Sequence, residues 1–220
     1  MARNKTPEVT VNRILDAASK LFLTKGYEHT TIQDIIDALG DLSKGAIYHH
    51  FKSKEEIMER VAARFDSNME EKMTAIRDAS GLTGLEKIRH MLYLSLGDPE
   101  QRDMVRIMPS HYMDTTFIMA YLQNSVGDLV ERFIEPVIRQ GVEDGSIQTA
   151  FPHQLAEVFM ILCNVWINPF LFPVSEKAFL EKIRFAGELL IQVGMPLLDD
   201  ELKKMIVSYR ELREIEKLEQ

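Results

Sequence analysis

The sequence predicts an all-α protein in which a small helical head precedes a larger helical body. Apolar residues recur at intervals of three and four through most of the 220 positions, as in helices with one buried face. The alternating apolar and polar runs that would indicate β-strands do not occur in the sequence. Proline and glycine divide the pattern into about ten helices.

The first two helices have recognisable start and stop signals. Pro7 suits the first turn of a helix that ends before Gly26. We expect a capping box between Thr30 and Gln33 to begin the second helix, which stops at Gly40. Both helices carry an apolar stripe, so they are predicted to pack against each other.

The remaining helices follow after short turns. Ser43 can cap a helix of about two turns that ends at His50. Ser53, paired with Glu56, can begin a longer fourth helix. The same period predicts six further helices, over 85–96, 99–109, 114–144, 153–171, 176–194 and 199–218.

Composition favours a globular protein of a reducing compartment. The chain is 45% hydrophobic, and its only cysteine, Cys163, excludes an intramolecular disulfide. An apolar signal segment does not follow the N-terminus, and the uncharged run 158–174 is short for a bilayer and interrupted by two prolines. We therefore expect a cytoplasmic protein that does not span a membrane.

Charge is shared unevenly along a chain whose formal net charge is −8. Residues 1–54 hold eight basic and six acidic residues, a net charge of +2. Residues 55–220 hold the other 18 basic and 28 acidic residues, a net charge of −10. This asymmetry suggests a head for a polyanion on an acidic body, and we predict two domains with these boundaries.

The segment LSKGAIYHHFKSKEE, residues 42–56, predicts a helix with an unusual outer face. At about 100° per residue, Ile47 marks the buried side. Gly45, Ala46 and His49 then face outward, so the backbone is open to close approach. A short helix, a tight turn and a second short helix with such a face are typical of a helix-turn-helix, whose second helix enters the major groove of DNA.

Residues 10–57 resemble the DNA-binding head of the tetracycline-repressor (TetR) family. The resemblance rests on T-x-x-x-I from Thr31 and on S-K-G-A-I-Y-H-H-F-x-x-K-E-x-I from Ser43 to Ile57. The turn that begins at Gly40 is one residue longer than the Gly-x-Ser usual in that family. The resemblance implies phosphate contacts from Thr30 or Thr31, Tyr48 and Lys54, and a groove-lining set of Ser43, Lys44, Gly45, Ala46 and His49.

The family resemblance also implies a transcription regulator, which we expect to be a repressor that binds a palindromic double-stranded DNA operator as a homodimer. A two-turn reading helix contacts few base pairs, so specificity requires two copies. The body resembles the family in Gly141-x-x-x-Gly145-x-Ile147 ahead of a long apolar helix. The expected dimer interface consists of Leu155, Phe159, Leu162, Trp166, Phe170, Phe179, Ile183, Ala186, Leu190 and Val193.

A small-molecule effector of unknown identity is expected in the body. Five methionines lie between residues 91 and 119, and methionine adapts to irregular cavities, although core filling is the alternative for each. Neighbouring polar residues can orient a ligand. The candidate effector residues are Met91, Met104, Met108, His111, Tyr112, Met119, Asn124 and Asn164.

Enzymatic activity is not expected. The sequence lacks G-x-S-x-G, H-E-x-x-H, C-x-x-C and a phosphate-binding glycine loop, so we predict neither a cofactor nor a bound metal. The adjacent His49 and His50 diverge by about 100° on a helix and cannot readily share a metal. A helical protein-interaction module without DNA binding is the alternative, and an enzyme is a less favoured one.

Overall fold

A computed structural model describes residues 7–107, 127–169 and 171–211 of the chain. The all-α prediction is confirmed, since these residues contain ten helices when each π-helical turn is counted with the helix that it extends, and no strand. They form two compact units. We call residues 7–69 and 103–107 the head, and residues 70–102 together with those from 127 onward the body.

Six helices precede residue 108. They are α1 (Pro7–Lys25), α2 (Ile32–Leu39), α3 (Lys44–His50), α4 (Lys54–Asp78), α5 (Gly84–Gly97) and α6 (Pro99–Ile107).

Four helices follow. They are α7 (Gly127–Leu129, a π-helical turn Val130–Ile134, and Glu135–Asp144), α8 (Pro152–Ile161 and a π-helical turn Leu162–Trp166), α9 (Glu176–Gln192) and α10 (Asp200–Arg210).

Two predicted helix stops, at Gly26 and Gly40, are observed, whereas the predicted end of one later helix is not. Gly26 and Gly40 adopt φ values of +83° and +70°, the left-handed conformation in which glycine ends a helix without strain. The helix predicted over 153–171 is shorter, because α8 ends at Trp166 ahead of Pro169. A residue before proline is disfavoured in helical conformation. The predicted helical residues 114–126 and 212–218 lie outside the described part of the chain.

The head has one apolar core that extends beyond the predicted domain boundary at residue 54. Ile47 of α3 and Ile57 of α4 are both 0% exposed and belong to the same buried cluster. The compact unit therefore continues into α4 as far as Met69. Its buried apolar residues are Ile14, Leu15, Ala18, Phe22, Tyr27, Ile35, Ile47, Phe51, Ile57, Met58, Val61, Met104 and Ile107.

The body is held by a close crossing of α5 and α7. A Cβ atom added to Gly84 would lie 2.2 Å from the backbone nitrogen of Gly141 and 2.5 Å from the carbonyl oxygen of Val137. Ile147 packs over Gly141 and donates its N–H to the Gly141 carbonyl at 2.9 Å. Gly84 therefore lets the backbone of α5 approach that of α7, and Gly141 of the sequence motif leaves room for the Ile147 side chain.

Most of the predicted dimer residues belong to the core of the single chain instead. Seven of the ten are buried, with exposed fractions of 0% to 7%, so they offer little surface to a second copy. The apolar residues that face outward on α8 and α9 include Val158, Ile161 and Phe185, each more than half exposed. The buried seven are Leu155, Phe159, Leu162, Phe179, Ile183, Ala186 and Leu190.

Trp166 is half-buried, Val193 is 37% exposed, and Phe170 lies outside the described residues. Among the helices that the structure describes, none is both long enough and apolar enough to cross a bilayer.

We predict that Gly84→Ala destabilises the body. The new methyl group would overlap the backbone of α7, which cannot move aside as a flexible side chain can, so the free energy of unfolding should fall by about 1–3 kcal/mol or more. Urea denaturation followed by circular dichroism measures this. Gly127→Ala is the control, because a Cβ atom there meets nothing within 4 Å. Equal midpoints for the two variants would contradict the proposed close crossing.

Candidate nucleic-acid interface

Helix α3 is capped at both ends by neighbouring residues. The Ser43 hydroxyl accepts the N–H of Ala46 at 3.2 Å and so caps the first turn. Phe51 follows the last turn and donates its N–H to the Ile47 carbonyl at 2.9 Å. Ile47 and Phe51 are 0% and 3% exposed in the head core. The helix therefore has one buried side, and its rotation about its own axis is set by these two anchors.

The opposite side of α3 is exposed and has little side-chain bulk. Gly45 and His49 are exposed, as expected from the helical period, whereas Ala46, which was expected to face outward with them, is half-buried. A Cβ atom on Gly45 would meet only the Ser43 hydroxyl oxygen, at 3.9 Å. Glycine is therefore not required there by packing. Its small size instead leaves the backbone of α3 open to a surface that comes close.

Cationic and aromatic side chains flank this bare face. Tyr48 is 45% exposed, and the Lys44 ammonium lies 5.9 Å from the centroid of its ring. The His49 and His50 rings contact each other edge to face, with their centroids 5.2 Å apart. Phenol, ammonium and imidazole groups all bind phosphate oxygens or base edges in DNA complexes.

The start of α2 differs by one residue from the prediction. Thr31 is the N-cap, and its hydroxyl and the Asp34 backbone and side chain form the reciprocal capping box. Gln33 was predicted to close this box with Thr30, but its amide donates to Asp37 at 2.8 Å. Sequence reasoning therefore missed the capping box between Thr31 and Asp34. Its T-x-x-D pattern begins one residue after the T-x-x-Q pattern of Thr30 and Gln33.

Asp34 is a strongly stabilised carboxylate at this position. Lys25 approaches it at 2.7 Å, and Thr31 donates both its hydroxyl and its backbone N–H to it at the same distance. The Lys25 ammonium and these hydrogen bonds lower the pKa of Asp34 to about 2. The end of α1 and the start of α2 are thus joined through a charge that persists to low pH.

Thr30 is contradicted as a phosphate contact. Its side chain is 1% exposed, and its hydroxyl donates to the Gly26 carbonyl at 2.7 Å. It ties the loop after α1 together and is not presented to solvent. Thr31, the alternative offered with it, is exposed.

Lys54 contacts another residue of the head. Its ammonium donates to the Tyr27 carbonyl at 2.8 Å and lies 4.1 Å from the centroid of the Tyr27 ring. These contacts hold the first turn of α4 against the loop that follows α1. The phosphate contact of Lys54 stays a prediction.

The candidate effector residues do not form one group. Met91 is buried in the body core and Met104 in the head core, so Met104 is wrong as part of a cavity in the body. Asn164 is half-buried and donates its amide to the Met160 carbonyl at 3.1 Å. The other five, Met108, His111, Tyr112, Met119 and Asn124, lie outside the described residues.

Two depressions on the surface of the body, of 460 and 390 Å³, lie along α9 and α10. Leu180 lines both, and charged side chains such as Lys177 and Lys203 surround it. Neither is lined by Met91 or Asn164.

Comparisons with known proteins support the assignment of the head. Residues 14–61 match the bacterial regulatory proteins of the tetR family. The chain is 30% identical to the HTH-type transcriptional repressor KstR2 of Mycolicibacterium smegmatis over 173 residues, 74% of this chain and 80% of that protein. It is 31% identical to the repressor of the same name from Rhodococcus jostii over 153 residues, 67% of this chain and 72% of that protein.

Solved structures share the fold. A TetR-family transcriptional regulator from Pectobacterium atrosepticum superimposes with a TM-score of 0.62 at 23% identity, covering 88% of this chain and 97% of the other. A transcriptional regulator from Cytophaga hutchinsonii gives a TM-score of 0.60 at 18% identity, covering 94% and 95%. The chain therefore belongs to the TetR family of bacterial regulatory proteins and is a DNA-binding transcription regulator.

Proposed function

We propose that the chain is a cytoplasmic repressor that binds an inverted-repeat operator as a homodimer and responds to a small molecule bound in its body. The observation that carries the DNA-binding part is the outer face of α3, where Gly45, Ala46 and His49 leave the helix backbone open. The major groove of B-DNA is about 12 Å wide and admits one such helix.

We propose that the exposed face of α3 contacts base edges and that residues flanking this face contact phosphates. Gly45 and Ala46 allow the approach, and the exposed His49 imidazole can reach a base edge with Ser43 and Lys44 near the start of the helix. Tyr48, Lys54 and Thr31 are proposed to hold phosphates, which sets position rather than sequence.

Selection of duplexes from a random library by the purified chain tests this proposal. The enriched DNA should contain an inverted repeat, and its affinity should fall steeply with rising salt as phosphate contacts release counterions. Enrichment of no sequence would exclude specific reading. If the affinity for DNA did not change with salt, phosphate contacts would be absent, and the alternative of a protein-interaction module would be favoured.

The proposed dimer uses outward-facing apolar residues of α8 and α9. Val158 and Ile161 are 54% and 51% exposed and lie on one side of α8, three residues apart. Phe185 of α9 is 55% exposed, and its ring contacts Trp166 at the end of α8, with centroids 5.8 Å apart. An apolar patch of this kind is typical of a protein-protein interface.

The effector proposal rests on Met91 in the body core and on the half-buried Asn164 of α8. A ligand can regulate DNA binding only by stabilising one conformation more than another. Mass spectrometry of small molecules released from the purified, denatured chain is a direct way to identify an effector.

We predict that Gly45→Leu abolishes selective DNA binding without unfolding the head. A Cβ atom at position 45 has room in the free protein, but the leucine side chain would occupy the space next to DNA, so about 1–3 kcal/mol of binding free energy should be lost. Gel-shift titration with the selected duplex measures the loss, and thermal denaturation confirms folding. Gly127→Leu in the body is the matched control. Binding by Gly45→Leu that equals the control would contradict the groove model.

We predict that Phe185→Glu converts a dimer into a monomer. Two added charges facing each other across a two-fold axis would have to be desolvated, whereas Phe185 in the single chain is already more than half exposed. Sedimentation equilibrium measures the mass. Leu180→Glu is the control on another side of α9, where the side chain is 45% exposed. A monomeric wild type, or dissociation of both variants alike, would contradict the proposed interface.

A further inference from the structure

A bidentate ion pair ties the turn before α3 to α1. Two guanidinium nitrogens of Arg13 donate to the two carboxylate oxygens of Asp41, at 2.6 and 3.1 Å. Paired parallel hydrogen bonds of this kind fix direction as well as distance, because the guanidinium and the carboxylate are both planar. The contact joins residues that are 28 positions apart in the sequence.

The ion pair acts on a short connection. Gly40 ends α2 in the left-handed conformation, with its N–H bonded to the Ile36 carbonyl at 3.0 Å. Ser43 caps α3, so only Asp41 and Leu42 lie between the two capping residues. Leu42 packs against the head core, and Asp41 is held by Arg13. Both residues of the connection therefore have a fixed partner.

This contact is suited to orientation rather than to stability. The Arg13 and Asp41 side chains are 30% and 54% exposed, and ion pairs at such sites contribute little to the free energy of unfolding. A small change in the tilt of α3 would, however, move every group on its outer face relative to the bases. Reading of DNA is therefore more sensitive to this contact than folding is.

We propose that Arg13 and Asp41 are positioning residues that set the angle at which α3 meets DNA. This inference rests on the proposed function, because it takes α3 to be the helix that reads bases. It assigns a role to the turn residue Asp41, whose carboxylate faces Arg13 and need not touch DNA.

The sign of one substitution separates this role from simple electrostatics. Asp41→Asn removes a negative charge from the head, which by itself should strengthen binding to all DNA. Loss of the positioning contact should instead weaken binding to the selected duplex at least about fivefold, which is the cost of one mismatched base pair in a specific site. Binding to a random-sequence duplex of equal length should not weaken.

Asp16→Asn is the matched control. Asp16 lies on α1 and pairs with Arg64 of α4 at 2.7 Å, so the substitution removes the same charge from an exposed ion pair within the head. It leaves the Arg13 and Asp41 contact in place. Thermal denaturation of both variants establishes that they fold.

The exchange variant Arg13→Asp with Asp41→Arg completes the test. The proposal would be supported if Asp41→Asn lost affinity for the selected duplex only, and Asp16→Asn did not. The exchange variant should recover most of that affinity. The proposal would be overturned by equal behaviour of Asp41→Asn and Asp16→Asn, by tighter binding of Asp41→Asn to both duplexes, or by an exchange variant as weak as the single one. If wild type selects no sequence, the proposed function itself fails, and this inference fails with it.

Discussion

Burial of Ile47 and Phe51 is the constraint on which the interface depends. A helix of seven residues has few contacts with which to define its rotation, and these two side chains supply them at 0% and 3% exposure. Once they are inside, Gly45, Ala46 and His49 must lie on the other side because of the helical period. Packing within the head does not require glycine at position 45. The small residues of that outer face are therefore better explained by binding than by folding.

The head holds this helix through short polar contacts as well as through its core. Ser43 caps α3, Thr31 and Asp34 cap α2, and Lys25 reaches Asp34 from the end of α1. Each contact satisfies or neutralises groups at a helix end, where backbone donors and acceptors lack partners. The helices of the head are thus fixed at their ends, and the exposed face of α3 remains available for binding.

Features that depend on local periodicity could be predicted from the sequence. Features for which two sequence patterns compete could not. Ser43 and Ile47 could be placed because one register satisfied both the cap and the apolar side. The capping box was misplaced because T-x-x-Q and T-x-x-D are offset by one residue, and only the backbone distinguishes them. In α8, the sequence contains apolar residues on more than one side, so periodicity could not distinguish the intrachain Phe159 from the outward Val158. Arg13 and Asp41 were missed because no local pattern links residues so far apart in the chain.

Methylation interference on the selected duplex is the most direct test of the account. A methyl group on guanine N7 lies in the major groove, whereas one on adenine N3 lies in the minor groove. If α3 lies in the major groove, N7 methylation should block binding in two half-sites whose centres are one helical turn, ~34–36 Å, or a multiple of it apart. Interference confined to adenine N3, or no interference at guanine N7 in either half-site, would contradict the placement of the bare face of α3 in the major groove.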